Sequence, residues 1–196
     1  MDNPYEAGER TPWHATQRGG AEEGRDLTPE VRQIRANEGL KLRAVRLRAL
    51  ADAPTAFGST LAQEEKFPER VWHERAENGA VGADRVTFVV EQEGQWIGIA
   101  TGLACDPEEP NDPQPLLVGM FVAPEARRSG VGVALVEAVV RWARARRASS
   151  LSLWVTSTNS PAIALYDKCG FRRTEETKPV ARFPSLTEFR MVRDLR

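Results

Sequence analysis

The sequence predicts an α/β (α+β) fold with a mostly antiparallel start, and three observations predict it. Apolar residues in the first third recur at helical spacing. From residue 86 they run in β-rich stretches divided by a turn signal. An apolar run of strand length at 116–123 then leads through a glycine-bearing turn into a long amphipathic helix.

The elements follow in chain order. Residues 1–28 are rich in Gly, Glu, Arg and Thr without a period and read as a flexible tail, with Trp13 an exposed aromatic in it. Residues 31–36 alternate like a short strand. Residues 38–52 set Leu40, Ala44, Leu47 and Ala51 at helical spacing, and Pro54 stops that helix. A second helical region, 61–78, breaks or restarts at Pro68 and is closed by Gly79. Two strands flank the hairpin signature Glu93-Gly94, and a Pro- and Asp-rich loop spans 106–115. The strand at 116–123 precedes a helix from Gly130 to Arg147. A strand at 150–157, a short helix and two closing strands complete the order, with no internal repeat.

Composition bounds the function. The length suits one domain, 29–196, behind the tail. A formal net charge of −1 implies no bulk attraction to nucleic acid or to an anionic membrane. No apolar run approaches the roughly 20 residues that span a bilayer, and the first residues lack the pattern of a secretory signal. Cys105 and Cys169 are too few for a disulfide scaffold, and His14 and His73 lack partners at metal-ligand spacing. A cytoplasmic, metal-free protein is the expectation.

The turn "EARRSGVG" carries the first chemical signal. The first turn of a helix exposes unpaired N–H groups at the positive end of its dipole. Gly130 and Gly132 open the backbone to a ligand's oxygens, and Arg127 and Arg128 add positive charge. Alone, the turn reads equally as a strand-to-helix corner. A P-loop fails because no Lys follows Gly132, and a dinucleotide fingerprint fails because Leu135 replaces its third small residue. In the helix, Leu135, Val139 and Trp142 form an apolar row beside Val136, Val140 and Ala143. Glu137, Arg141 and Arg144 lie opposite, with Glu137 and Arg141 spaced to pair. In "TNSPAIALYDKCGF", Ser160 suits an N-cap, Pro161 the first helical position and Gly170 the C-terminal cap.

Together these two stretches resemble the cofactor-binding core of the GCN5-related N-acetyltransferases (GNAT family). The pattern Q/R-x-x-G-x-G/A matches Arg127, Gly130 and Gly132. The pattern N-x-x-A-x-x-L-Y-x-x-x-G-F matches Asn159, Ala162, Leu165, Tyr166, Gly170 and Phe171. The resemblance is specific over about residues 117–172. It implies a GNAT-like, mixed but mostly antiparallel twisted sheet of six to seven strands flanked by about four helices. It further implies acetyl-CoA as cosubstrate, with no metal, and transfer to a primary amine of a small molecule or peptide by direct attack in a ternary complex. Met120, Phe121 and Val122 would pair with the pantetheine arm, with the N–H of Phe121 or Val122 polarising the thioester carbonyl. Arg127, Arg128, Ser129, Gly130, Val131, Gly132 and Val133 would form the pyrophosphate seat, residues 128–133 through main-chain N–H groups. Asn159 would bind the cofactor through its amide, and Tyr166 would protonate the leaving thiolate. Cys169 would be a small buried residue, and Lys168 a surface lysine.

The pattern breaks at the general base. Where ribosomal-protein members of the family carry a Glu, this sequence has Trp154, which accepts no proton. Glu91, Glu93 and Asp106 lie near, and the sequence does not choose among them. The acceptor pocket is expected between the first two helices and the loop 177–186. Lys41, Arg43, Arg46 and Arg48 read first as a solvated basic face and second as an attraction for an acidic acceptor. The phrase "DAPTAFGST" resembles a subset of bacterial small-molecule acetyltransferases. A non-catalytic acyl-CoA-binding sensor or interaction module is the alternative, and a homodimer is compatible with the family.

Overall fold

The structure, a computed structural model, describes residues 30–109, 114–180 and 182–196; the tail with Trp13 and part of the loop at 106–115 lie outside them. Strand β1 (Val31–Gln33) is followed by helices α1 (Gly39–Asp52), α2 (Leu61–Glu64) and α3 (Glu69–Val81). Next come β2 (Arg85–Gln92), β3 (Gln95–Leu103) and β4 (Leu116–Val122). Helix α4 (Val131–Ala145), β5 (Ser150–Thr156), α5 (Ser160–Lys168), β6 (Arg172–Val180) and β7 (Phe183–Asp194) complete the chain. The strands form one seven-stranded sheet in the order β1-β2-β3-β4-β5-β7-β6. Every pairing is antiparallel except β4 with β5, which is parallel.

Local chemistry accounts for most boundaries. Glu93 (φ 50°) and Gly94 (φ 79°) make the two-residue turn between β2 and β3, the left-handed geometry that such hairpins need. The second helical region divides at Pro68, which stands at the N-cap of α3. Helix α3 ends at Gly82 (φ 74°), whereas Gly79 lies inside it, packed against Ile34 and Thr87. In α1 the buried face is Leu42, Val45, Ala49 and Leu50, while Leu40 is 55% exposed. The row through Leu40, Ala44 and Ala51 therefore faces out. Apolar residues fall at nearly every second position of α1, so spacing alone did not select the face.

The sheet carries α1 and α3 on one side and α4 on the other. The α4 side is dense: a Cβ at Gly98 would stand 2.8 Å from both Val131 and Leu135, and one at Gly102 would stand 2.8 Å from Trp142. Those glycines let the helix approach the strands closely. Glu137 pairs with Arg193 on β7 rather than with Arg141, so this part of α4's polar face is tied to the sheet.

β4 and β5 share a single register pair, Leu116 with Ser152, and then part. Gly119 (φ 63°) bends β4 beyond that rung, and its register against β3 slips between Ile99 and Thr101. The separation opens the middle of the sheet from one side to the other.

Candidate active site

Two cavities meet at this opening. One, of about 630 Å³, runs from the parted strands to the N-terminus of α4 and along α5. The other, of about 570 Å³, lies between the sheet and α1, α2 and α3. Leu117, Val118, Gly119 and Trp154 line both. A group entering from either side thus reaches the same stretch of β4.

The first cavity ends in a cradle of main-chain donors. Arg128 (φ 65°) and Gly130 (φ 91°) are left-handed and turn the loop so that successive N–H groups converge. Among the described residues, no acceptor meets the N–H groups of residues 128–133; the first intrahelical bond runs from Ala134 to Gly130. Gly132 serves packing as well, because a Cβ there would stand 3.0 Å from Leu165 of α5. The side chains contribute less than the main chain. Arg127 is ion-paired to Asp52 and donates to the Val122 carbonyl at 3.1 Å. Ser129 Oγ donates to the Ala126 carbonyl at 2.7 Å.

Of the residues expected here, Met120, Phe121, Val122, Arg127, Arg128, Gly130, Gly132, Val133, Asn159 and Tyr166 line the cavity. Ser129 and Val131 do not; Val131 is 2% exposed and packs over Gly98. Asn159, not Ser160, caps α5, accepting from the Ala162 N–H at 3.3 Å, so its amide oxygen is engaged and its amide nitrogen is the group left to serve a ligand. The register also separates Phe121 from Val122. Ala123 donates to Ile97 at 2.9 Å, which makes Phe121 with Ile99 the adjacent hydrogen-bonded pair. Val122, opposite Gly98, is in the non-hydrogen-bonded position, and its N–H points away from β3 into the opening.

Tyr166 is 7% exposed and packs against Phe171 with ring centroids 5.9 Å apart. Burial, with a smaller contribution from Cys169, pushes its phenol well above the usual range. Cys169 is also buried, and burial raises its thiol.

The second cavity is made by α1, the 56–59 turn, α2 and α3; the described residues of 177–186, which lie in β6 and β7 and the turn between them, contribute none of its lining. Of the basic residues of α1, only Arg46 lines it, whereas Lys41 pairs with Glu91 at 2.8 Å and Arg48 with Glu125 at 2.7 Å. Glu91 is held down to about 2 by Lys41 and Arg32, so it stays ionised and occupied. Neither Glu91 nor Glu93 lines either cavity. Asp106 accepts from Trp154 Nε1 at 3.3 Å, and Lys178 lies 4.3 Å from the Trp154 ring centroid. Trp154 is thereby fixed as a wall between the cavities.

Sequence reasoning passed over Glu188. On β7 it pairs in register with Thr156, one rung of the same face from Trp154, and it lines the cavity. Burial raises its carboxyl most; Lys178 opposes this and Glu108 adds to it, with a net rise. No local motif marks it, because its neighbours in space come from other strands. Gly119 had a signal, an isolated glycine within an apolar strand.

A sheet parted at its centre, a main-chain anion cradle at one end of the opening and a second cavity facing it define an acetyltransferase-type α+β domain. Residues 47–171 match the model of the acetyltransferase (GNAT) family, and the chain belongs to that family. It is 30% identical over 139 residues to a mycothiol acetyltransferase of Acidothermus cellulolyticus, a match covering 66% of this chain and 40% of the relative. It is 39% identical over 62 residues to an aminoglycoside N(6')-acetyltransferase type 1 of Klebsiella aerogenes, covering 32% of this chain and 41% of the relative. The chain thus spans about 40% of the length of these curated relatives. Among solved structures it shares its fold with yncA of Salmonella typhimurium, determined with acetyl-CoA, at a TM-score of 0.70 and 16% identity, over 86% of this chain and 95% of that one.

Proposed function

We propose that residues 29–196 form one domain that transfers an acetyl group from acetyl-CoA to a primary amine of a small molecule or peptide, by direct attack in a ternary complex. The observation that carries this reading is the run of unpaired N–H groups at 128–133, at the far end of a cavity that opens onto a second one at β4. Convergent main-chain donors at a helix N-terminus suit a pyrophosphate. Acetyl-CoA supplies the activated acetyl thioester; the chain's own groups supply the rest. In this reading the Val122 N–H stands where it can donate to the developing oxyanion. Tyr166 holds a proton for the departing sulfur, and its raised phenol keeps that proton throughout the working range. Glu188 takes the proton that an acceptor ammonium must lose before attack.

Thiol release over a panel of amines, run beside calorimetric titration with CoA, tests the reading. Gly130→Ala forces a Cβ into a left-handed position, at about 1–3 kcal/mol. It is expected to weaken CoA binding by about tenfold or more; unchanged affinity would remove the cradle assignment. CoA binding without turnover on any amine would turn the reading into a non-catalytic acyl-CoA module.

Glu188→Gln is expected to lower kcat/KM by about 10²-fold. The active base is the ionised carboxylate, so wild-type activity should fall as pH drops through a value above the ordinary carboxylate range. The variant should lose that acid limb. An unchanged limb in Glu188→Gln would show that another group titrates.

A further inference from the structure

Among the described residues, one positive charge in the acceptor-side cavity has no ion-pair partner. Arg46 and Arg75 both pair with Glu64, at 2.8 Å and 3.0 Å. Arg85, at the start of β2, lines the same cavity, is half-buried, and has no carboxylate partner among the described residues. Burial, and then the like charge of Arg75, lower its affinity for its proton. A half-buried guanidinium beside another guanidinium costs stability unless something else meets it. Across the cavity, three guanidinium groups (Arg46, Arg75 and Arg85) face two carboxylates (Glu64 and Glu188), an excess of one positive charge.

A second, independent feature lies on α3. Trp72 is 0% exposed, lines this cavity, and its indole Nε1 has no hydrogen-bond partner among the described residues. A buried N–H left unpaired costs stability. Arg75 lies over the Trp72 ring at 5.0 Å and is the like charge felt by Arg85, so Trp72, Arg75 and Arg85 share one region of the wall. What is missing there is a hydrogen-bond acceptor carrying a single negative charge.

Building on the acetyl-transfer reading, the geometry points to an acceptor that carries a carboxylate remote from its amine. The carboxylate is held by Arg85 with Trp72 Nε1, and the amine lies at Gly119 and Glu188. A carboxylate at one end of the acceptor meets the guanidinium of Arg85 while its ammonium end faces Glu188, and a planar carboxylate suits the guanidinium fork. The register bounds the length. Arg85, Leu103 and Leu116 share one rung, and Gly119 lies three residues further along β4. With strands ~4.8 Å apart and a rise of ~3.3 Å per residue, the two Cα atoms are about 14 Å apart, and the arginine side chain covers roughly half of this. About 7 Å remains between amine and carboxylate, a span suited to a short ω-amino acid or a small peptide rather than to an α-amino acid.

The test compares matched acceptors on the intact chain: 5-aminopentanoate, 6-aminohexanoate and glycylglycine against the corresponding carboxamides, and against glycine and an ω-aminoalkyl phosphate. Thiol release gives kcat/KM, and calorimetry with and without CoA gives affinity. The longer amino-carboxylates are expected to exceed their carboxamides at least tenfold, with the difference in KM. In Arg85→Gln that ratio should fall close to one, and Arg85→Lys should retain part of it. Because Arg85 is unpaired, Arg85→Gln should also melt no lower than wild type, separating recognition from folding. Equal use or equal binding of carboxylate and carboxamide, or a ratio untouched by Arg85→Gln, would overturn the assignment. Preference for glycine would overturn the span, and preference for the phosphate would overturn the carboxylate. Loss of CoA binding would count against acetyl transfer alone, since amino-carboxylate binding is read without CoA as well.

Discussion

Tyr166→Phe is expected to lower kcat by about 10²–10⁴-fold, with the KM for acetyl-CoA changed little. The phenylalanine keeps the ring contact with Phe171 and removes only the hydroxyl, so the fold should persist. The hydroxyl is the group at issue because a thiolate expelled into a buried cleft needs a proton nearby. Burial raises the phenol, and it raises a thiol in the same surroundings too, as it does for Cys169. Proton transfer therefore stays closer to balance than the tyrosine's own shift suggests. The sign is also clear: the protonated phenol is the active form, so no loss of rate from its ionisation is expected until pH passes well above the ordinary tyrosine range. Steady-state kinetics on any accepted amine decide the matter. A variant within about threefold of wild type would show that solvent protonates the sulfur.

Glu64→Gln should cost about 3 kcal/mol of stability. Glu64 is 2% exposed, pairs with Arg46 and Arg75, and also accepts from Ser59. Removing its charge leaves two guanidinium groups beside Arg85 with no neutralising carboxylate on the α-helical wall. Burial pushes the Glu64 carboxyl up, but Arg46, Ser59 and Arg75 together hold it below its usual value. A depressed folded value means that the stabilisation is fully present above the unfolded carboxylate value of about 4.3 and is lost as pH falls through the folded one. Denaturant melts of wild type and variant should thus differ most near neutrality and converge in acid. A constant difference down to low pH would show that packing, not charge, is what Glu64 contributes.

The wall of the second cavity and the main-chain cradle at α4 differ in how far the sequence revealed them. The cradle is local. Arg128 to Val133 are contiguous, and the left-handed Gly130 is visible as a letter, whereas the left-handed Arg128 is not. Chain order and periodicity likewise predict the strands, the hairpin at Glu93-Gly94, the restart at Pro68 and the long helix α4. Where the sequence misled, competing local signals were balanced. Apolar residues on every side of α1 hid its buried face, and Ser160 and Asn159 are both good caps. Glu137 had a helical partner in reach at Arg141, yet a strand residue, Arg193, took it.

By itself the sequence determined the mixed sheet, the order of its elements and the glycine-bearing turn that opens α4, because each rests on residues close in the chain. The tertiary structure alone decided the second cavity, where the proposed acceptor would bind. Arg85 and Glu188 stand on strands from opposite halves of the sheet, and Glu64, Trp72 and Arg75 come from helices folded over it. A cavity's charge is a sum over groups brought together by folding, so no local pattern could record it. The cradle is written along one turn, whereas the wall of the second cavity exists only once the chain has folded over its parted strands.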